Sequence, residues 1–410
     1  MGFFSFLRAN ARLAAFGFAL CLLSSAGQTY FISLFGGEIR AEFGLSHGGF
    51  GTVYMAGTLA SAATLIMLGR LIDVWSAGRT ALLTLCGLAA VSAFMGFVWG
   101  SVALAVAIYG LRLMGQGMSV HIGVTTMARS FTAERGRAVS VASLGQALGA
   151  ALSPPFIVGL LAVLSWREAW WVTAALVLAT VPVVLWLVKD KAAPGQTTGR
   201  SGAGSTAAGG YRLKDVLRDP GFWLRLPVLI TPAFISTGFV FHQVFIASEK
   251  AWPIELMAAS YTAYALALVV ALLAAGSLVD RFTARRLVPF FLTPLALSAV
   301  LLAFAEAQWL VPVYLALMAF GTGLSGVIQG SLWAELYGVR HIGEIRSFAA
   351  ALTVFSSGLA PAAMGWGFDA GAGVLAIALA SAAYCVGAST VAGLARKPRP
   401  LTTDPASSPA

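Results

Sequence analysis

The apolar residues of this chain come in long runs that do not alternate, with short polar clusters between them. Runs of about 20 apolar residues match the hydrocarbon core of a bilayer as helices; strands would alternate and be half as long. Lipid cannot satisfy loose backbone groups, so only helices and closed barrels span it. The pattern predicts an all-α membrane protein with 12 transmembrane helices. In the first half the spans lie near 13–36, 49–69, 80–99, 102–127, 138–164 and 168–188. In the second they lie near 222–247, 258–279, 287–305, 309–334, 345–366 and 372–395. Arg8, Arg12 and Ser24-Ser25-Ala26 imitate a cleavable leader, but the apolar run continues to Phe35 and reads as span 1. An external loop is expected from Glu38 to His47.

The spans fall into two related sets. Gly69, Asp73 and Arg79 recur as Gly276, Asp280 and Arg286, 207 residues later. Gly136 and Gly343 keep that offset, as do Pro154 and Pro361. In an apolar chain such a repeat predicts two pseudo-symmetric six-helix bundles, with a transport site between them. The N-terminal bundle is expected over 1–189, and the C-terminal bundle over 219–395. Between them, 190–218 is expected to be a flexible cytoplasmic linker, because its Gly/Ser/Thr-rich middle cannot bury enough apolar surface to fold. Its basic end, Tyr211 to Arg218, suits a helix lying on the membrane surface. The Pro/Ser-rich tail, 396–410, is expected to be disordered and cytoplasmic.

Charge placement orients the chain. Only 10% of residues are charged, too few to cover a water-facing surface. Of 26 Lys/Arg, 22 fall on the N-terminal side of the membrane in this topology, giving +13 there and −4 opposite. That asymmetry puts both termini in the cytoplasm. The net +10 therefore does not mark a nucleic-acid binder, which would need a basic stripe on a soluble module. Cys21, Cys86 and Cys385 lie in apolar runs without ligand spacing, so no metal site is expected. No phosphate-binding Gly-rich loop, zinc-ligand cluster or nucleophile triad is visible, which argues against an enzyme and against a cofactor.

Two six-helix halves joined by a cytoplasmic linker, each with a Gly-x-x-x-Asp loop after its second span, resemble the major facilitator superfamily. Arg112-Leu113-Met114-Gly115-Gln116-Gly117 is similar to the family's span 4 pattern. The antiporter signature of span 5 is only partly present, as Gly145, Gly149 and Ser153-Pro154-Pro155. Gly44-Leu45-Ser46, Trp252-Pro253 and Tyr337-Gly338 look most like bacterial members near the monocarboxylate and oxalate/formate branch. The resemblance implies a monomeric, multi-pass carrier of the bacterial inner membrane that works by alternating access. It also implies a cytoplasmic gate built from Gly69, Asp73, Arg79 and Arg137, with Gly276, Asp280 and Arg286 as the second copy. Arg79 follows Asp73 by six residues, farther than the family's usual spacing.

Arg112 is the sharpest single residue. It lies about ten residues into span 4 and cannot reasonably lose its proton. A guanidinium at that depth needs a watery cavity, an anion or backbone carbonyls around it. No Asp or Glu falls in the middle of any span to pair with it. Gln116 shares its helix face, and Gln28, Tyr30, Gln146 and Tyr264 are further polar groups within spans. Each suits either solute binding or helix–helix hydrogen bonding. His242 is the best candidate carrier of a coupling proton, since histidine titrates near neutral pH, though a hydrogen-bonded structural histidine is the more ordinary reading. The expectation is a secondary active transporter of a small organic solute, an anion such as a monocarboxylate, by proton symport or exchange. The rivals are an efflux antiporter for an amphipathic compound and a transporter-like sensor that does not turn over.

Overall fold

The computed structural model describes residues 8–69, 71–131, 134–188, 211–338 and 340–395, and Asp73 by its backbone alone. The linker middle, 190–210, the tail and the Asp73 side chain lie outside the described residues. Described residues form helices and turns, without strands. The N-terminal set is α1 (Ala11–Leu23), α2 (Thr29–Ile32), α3 (Gly36–Phe43), α4 (His47–Leu68), α5 (Leu71–Val74) and α6 (Ala77–Met95). It continues with α7 (Ser101–Leu111), α8 (Val120–Ser130), α9 (Arg135–Leu161) and α10 (Trp166–Val188). The C-terminal set is α11 (Leu213–Leu217), α12 (Pro220–Phe241), α13 (Gln243–Glu249), α14 (Ile254–Ala259) and α15 (Tyr261–Phe282). Then come α16 (Ala284–Leu287), α17 (Thr293–Phe304), α18 (Leu310–Tyr337), α19 (Ile342–Asp369) and α20 (Val374–Gly393).

Among the described residues, ten helical stretches are long and apolar enough to cross a membrane, and the bent pair Ala11–Gly27 and Thr29–Phe43 makes an eleventh. The short apolar helix α17 holds the place of span 9. Large apolar side chains such as Trp99, Val102, Val163 and Leu266 stand exposed, as lipid-facing residues do. Inside, apolar residues gather into two cores. One is built from 13–188 with Phe241 and Ala258 added, the other from 216–392.

Three spans differ from the expected straight helices. Span 1 is broken: Ser24–Gly27 forms a 3-10 turn, Gln28 is extended (φ −86°, ψ 152°), and the axis bends by 43°. The expected loop from Glu38 is instead helical to Phe43. Gly44 ends that helix in the left-handed region (φ 60°), and Ser46 then caps α4 by accepting the Gly49 N–H at 2.9 Å. Span 9 starts late because residues 288–292 form turns around Pro289, and Pro294 takes the first turn of α17. Span 7 breaks at His242. The basic stretch after the linker makes only the five-residue α11, and its buried Val216 packs it on the C-terminal bundle.

The bundles meet where α4 lies along α19 and α9 along α14 and α15. Phe50 and Tyr54 stack on Phe241, with ring centroids 4.9 and 4.7 Å apart. His47 stacks on Phe245 at 4.2 Å and on Phe368 at 5.8 Å. A Cβ on Gly51 would fall 2.4 Å from the Pro361 carbonyl oxygen, so the α4 and α19 backbones touch there. This end of the molecule is sealed. The opposite end carries Gly69, Arg135 and Phe282.

Candidate functional site, the central cavity

A cavity of about 810 Å³ lies between the bundles. Its inner end is walled by Gln28, Tyr30, Gln116, Val240 and Tyr261. It runs along α9 to Val139 and Ser140, and along α15 to Leu272 and Leu273. Those residues approach the ends of α9 and α15 away from the seal, and Ser140 and Leu273 are exposed. The cavity therefore points away from the sealed end.

The break in span 1 shapes the inner end. Because Gln28 is extended, the Gly27 carbonyl leaves the helical ladder and can accept elsewhere. Arg112 supplies the donor: its Nη1 lies 3.1 Å from Gly27 O and 3.4 Å from Thr29 Oγ1. Its guanidinium sits 5.3 Å from the centre of the Tyr54 ring, and Tyr54 Oη is 2.7 Å from Thr29 Oγ1. Arg112 is 4% exposed and does not line the cavity. Span 4 distorts to meet the break: Arg112–Ser119 is a π-helix. Gly27 and Gly115 touch backbone to backbone there, since a Cβ on Gly115 would fall 2.6 Å from the Gly27 Cα.

Of the polar span residues, Gln28, Tyr30, Gln116, Gln146 and Tyr264 line the cavity. Gln28 Nε2 donates weakly to Ser24 Oγ (3.3 Å), and Tyr30 Oη donates to Ser25 Oγ (3.1 Å). Gln116 Oε1 and the Tyr261 hydroxyl are buried with no protein partner among the described residues. Tyr30, Tyr261 and Tyr264 form an aromatic row across the two bundles, with neighbouring centroids 6.0 and 5.5 Å apart. Hydroxyl pairs Ser236–Thr322 (3.0 Å) and Thr237–Ser357 (3.1 Å) add uncharged polar wall. Among the described residues, no Asp, Glu, Lys, Arg or His lines the cavity.

His242 is placed in the seal, outside the cavity lining, with Nε2 2.9 Å from Pro361 O. Its neighbour Gln243 bridges the bundles, donating to Tyr30 O at 3.0 Å and Ser33 Oγ at 2.8 Å. Gln243, Tyr261 and Asp369 are residues that the sequence did not single out. Polarity near the outer end of span 7 was the available signal for Gln243, while Tyr261 and Asp369 sit at helix ends where polar groups are ordinary.

The repeated loop folds differently in its two copies. In the first, Gly69 ends α4, and its carbonyl oxygen lies 3.1 Å from His121 Nε2. Arg129 donates to Ile72 O (3.0 Å), Arg79 stacks on Trp75 (4.5 Å) and Arg137 pairs with Glu134 (3.1 Å). In the second, α15 runs unbroken through Gly276 and Asp280 to Phe282. Asp280 and Arg286 are exposed, and Glu335 accepts the Ala284 and Arg285 N–H groups at 2.7 and 3.1 Å.

The sequence model of the Major Facilitator Superfamily matches residues 17–260 of this chain. The fold is similar to a crystal structure of a bacterial homolog to the human lysosomal transporter Spinster, inward-facing and unoccupied. The two share 14% identity and a TM-score of 0.73 over 94% of this chain and 96% of that one. The occupied inward-facing form of such a homolog gives 15% identity and a TM-score of 0.66, over 95% and 96%. Compared with curated protein sequences, the chain finds no match.

Proposed function

The chain belongs to the major facilitator superfamily, and on that premise we propose that it carries an uncharged or amphipathic organic solute across a bacterial inner membrane by alternating access. The observation behind this choice is the uncharged cavity wall: amides, hydroxyls and tyrosine rings beside Val269, Leu272 and Leu273. Such a wall hydrogen-bonds a polar group and covers an apolar one. A carboxylate moved into it would lose its hydration without gaining a cation. The anion reading needs Arg112 at the cavity, and that side chain is engaged by Gly27 O and the Tyr54 ring. The amphipathic solute is therefore favoured over a monocarboxylate.

Tyrosine is the only titratable type among the described lining residues. A phenol is a poor proton carrier at neutral pH, so exchange or facilitated flow suits this cavity better than proton symport through its walls. The excess of basic residues on the side of the cavity mouth supports a cytoplasmic mouth, with both termini on that side.

The test is thermal stabilisation of the purified protein by matched pairs of uncharged amphiphiles and monocarboxylates. Uncharged amphiphiles should stabilise it saturably, and Gln116→Ala with Tyr264→Ala should abolish the effect. Stabilisation confined to monocarboxylates, and lost in Arg112→Gln, would overturn the assignment.

A further inference from the structure

The two faces of the seal are held by unlike contacts. On one, α9 meets α15 through Ala147, Ala151 and Ala265, an apolar contact of small side chains. On the other, Asp369 at the end of α19 reaches across to the start of α4. Its Oδ1 accepts the His47 N–H at 2.9 Å, and its Oδ2 accepts the Gly48 N–H at 2.8 Å. Those N–H groups are among the four that a helix leaves without internal partners at its start. The carboxylate thus lies at the positive end of a 22-residue helix that belongs to the other bundle.

The backbones are shaped for this contact. A Cβ on Gly48 would fall 2.7 Å from Asp369 Oδ2 and 2.2 Å from Trp366 Cδ1, and one on Gly365 would fall 2.5 Å from His47 O. Arg40 and His47 also act on the carboxylate through space, and the Ser46 side chain hydrogen-bonds it. Arg40 Nε donates to Leu45 O at 3.3 Å, and Glu249 Oε1 accepts the Val374 N–H at 2.8 Å. The internal repeat sets Asp369 opposite Ala162, and His47 opposite Ile254, at the 207-residue offset. The symmetry-related contact, the end of span 5 on the start of span 8, therefore has no carboxylate at that position.

We propose that Asp369 is the latch of the sealed end, a positioning residue that holds this side shut while the cavity faces the other way. Small apolar contacts slide and reform against lipid at little cost. Two charge-assisted hydrogen bonds across the bundles have no equivalent once the helices part. Opening the sealed end thus requires α4 to leave Asp369 and Gln243 to leave Tyr30 O and Ser33 Oγ, two neutral bonds weaker than those to the carboxylate, while α9 and α15 separate without a polar penalty. The latch presupposes the alternating access proposed above but not the nature of the solute.

The experiment is pulsed electron–electron distance measurement on the full chain in nanodiscs, without solute. Spin labels go on Val163→Cys and Ala307→Cys, exposed positions beside the seal on opposite bundles, with Cys21, Cys86 and Cys385 replaced by alanine. Asp369→Asn and Asp369→Ala should add a longer-distance population, raising the open-to-closed ratio of this end by roughly five- to thirtyfold. His47→Pro removes a donor in place of the acceptor, read against His47→Ala, which keeps the N–H but loses the ring contacts with Phe245 and Phe368. Proline is well accepted in the first turn of a helix, and Ser46 already has the extended backbone (ψ 172°) that must precede it. It should shift the distances the same way, and it decides the matter if the Asp369 variants do not fold. Unchanged distances in the folded variants would overturn the latch. Intact solute exchange in the same samples would leave the transport reading standing.

Discussion

Replacing Arg112 by alanine leaves Gly27 O, freed by the break in span 1, without its donor in a buried place. A buried group stripped of its partner costs about 1–3 kcal/mol. Arg112→Ala should therefore lower the thermal midpoint in detergent, and Arg112→Lys should recover only part, because a lysine cannot bond Gly27 O and stack on Tyr54 in one geometry. Any loss of solute binding should follow the loss of stability. Gly115→Ala should also destabilise, by about 1–3 kcal/mol, since the added methyl meets backbone and not a movable side chain. Unfolding midpoints of both variants check these values. The sequence marked Arg112 as anomalous by its depth. Its acceptor was not legible, because Gly27 O becomes available only where the chain stops being helical.

Most spanning helices were legible, for a physical reason: lipid demands about 20 apolar residues and internally satisfied backbone. Breaks inside helices were not. Ser24–Gly27 lies inside a long apolar run that reads as one helix, and its close approach to Gly115 could not be read from residue types. The repeated loop makes the same point. Identical residue types end a helix at Gly69 but ride within one at Gly276, so shared sequence did not dictate shared local structure. The two glycines should then respond differently to alanine. Gly276 faces open space in a helix interior, and Gly276→Ala should stabilise by about 0.5–1 kcal/mol. At Gly69 the new Cβ would fall 2.8 Å from Leu65 O, and Gly69→Ala should destabilise. Paired unfolding curves distinguish equal from opposite responses.

At the scale of the whole molecule, the polar residues within spans announced the cavity. Gln28, Tyr30, Gln116, Gln146 and Tyr264 come from four different spans and share one space. Polar groups are costly in hydrocarbon, so their presence at mid-span indicates protein or water beside them. Which end is sealed was beyond the sequence, because both ends of α4 and α19 carry plausible contacts and the choice is a balance between two packings. The seal and the uncharged wall together define the transport cycle proposed here: an amphipathic solute reaches an open cavity, and the bundles rock to expose it on the other side. Counterflow in proteoliposomes tests this most directly, with unlabelled solute inside and trace labelled solute outside. Labelled uncharged amphiphile should accumulate transiently above equilibrium, and Gln116→Ala with Tyr264→Ala should remove the overshoot. Binding without any overshoot, or an overshoot seen only for monocarboxylates and dependent on Arg112, would contradict it.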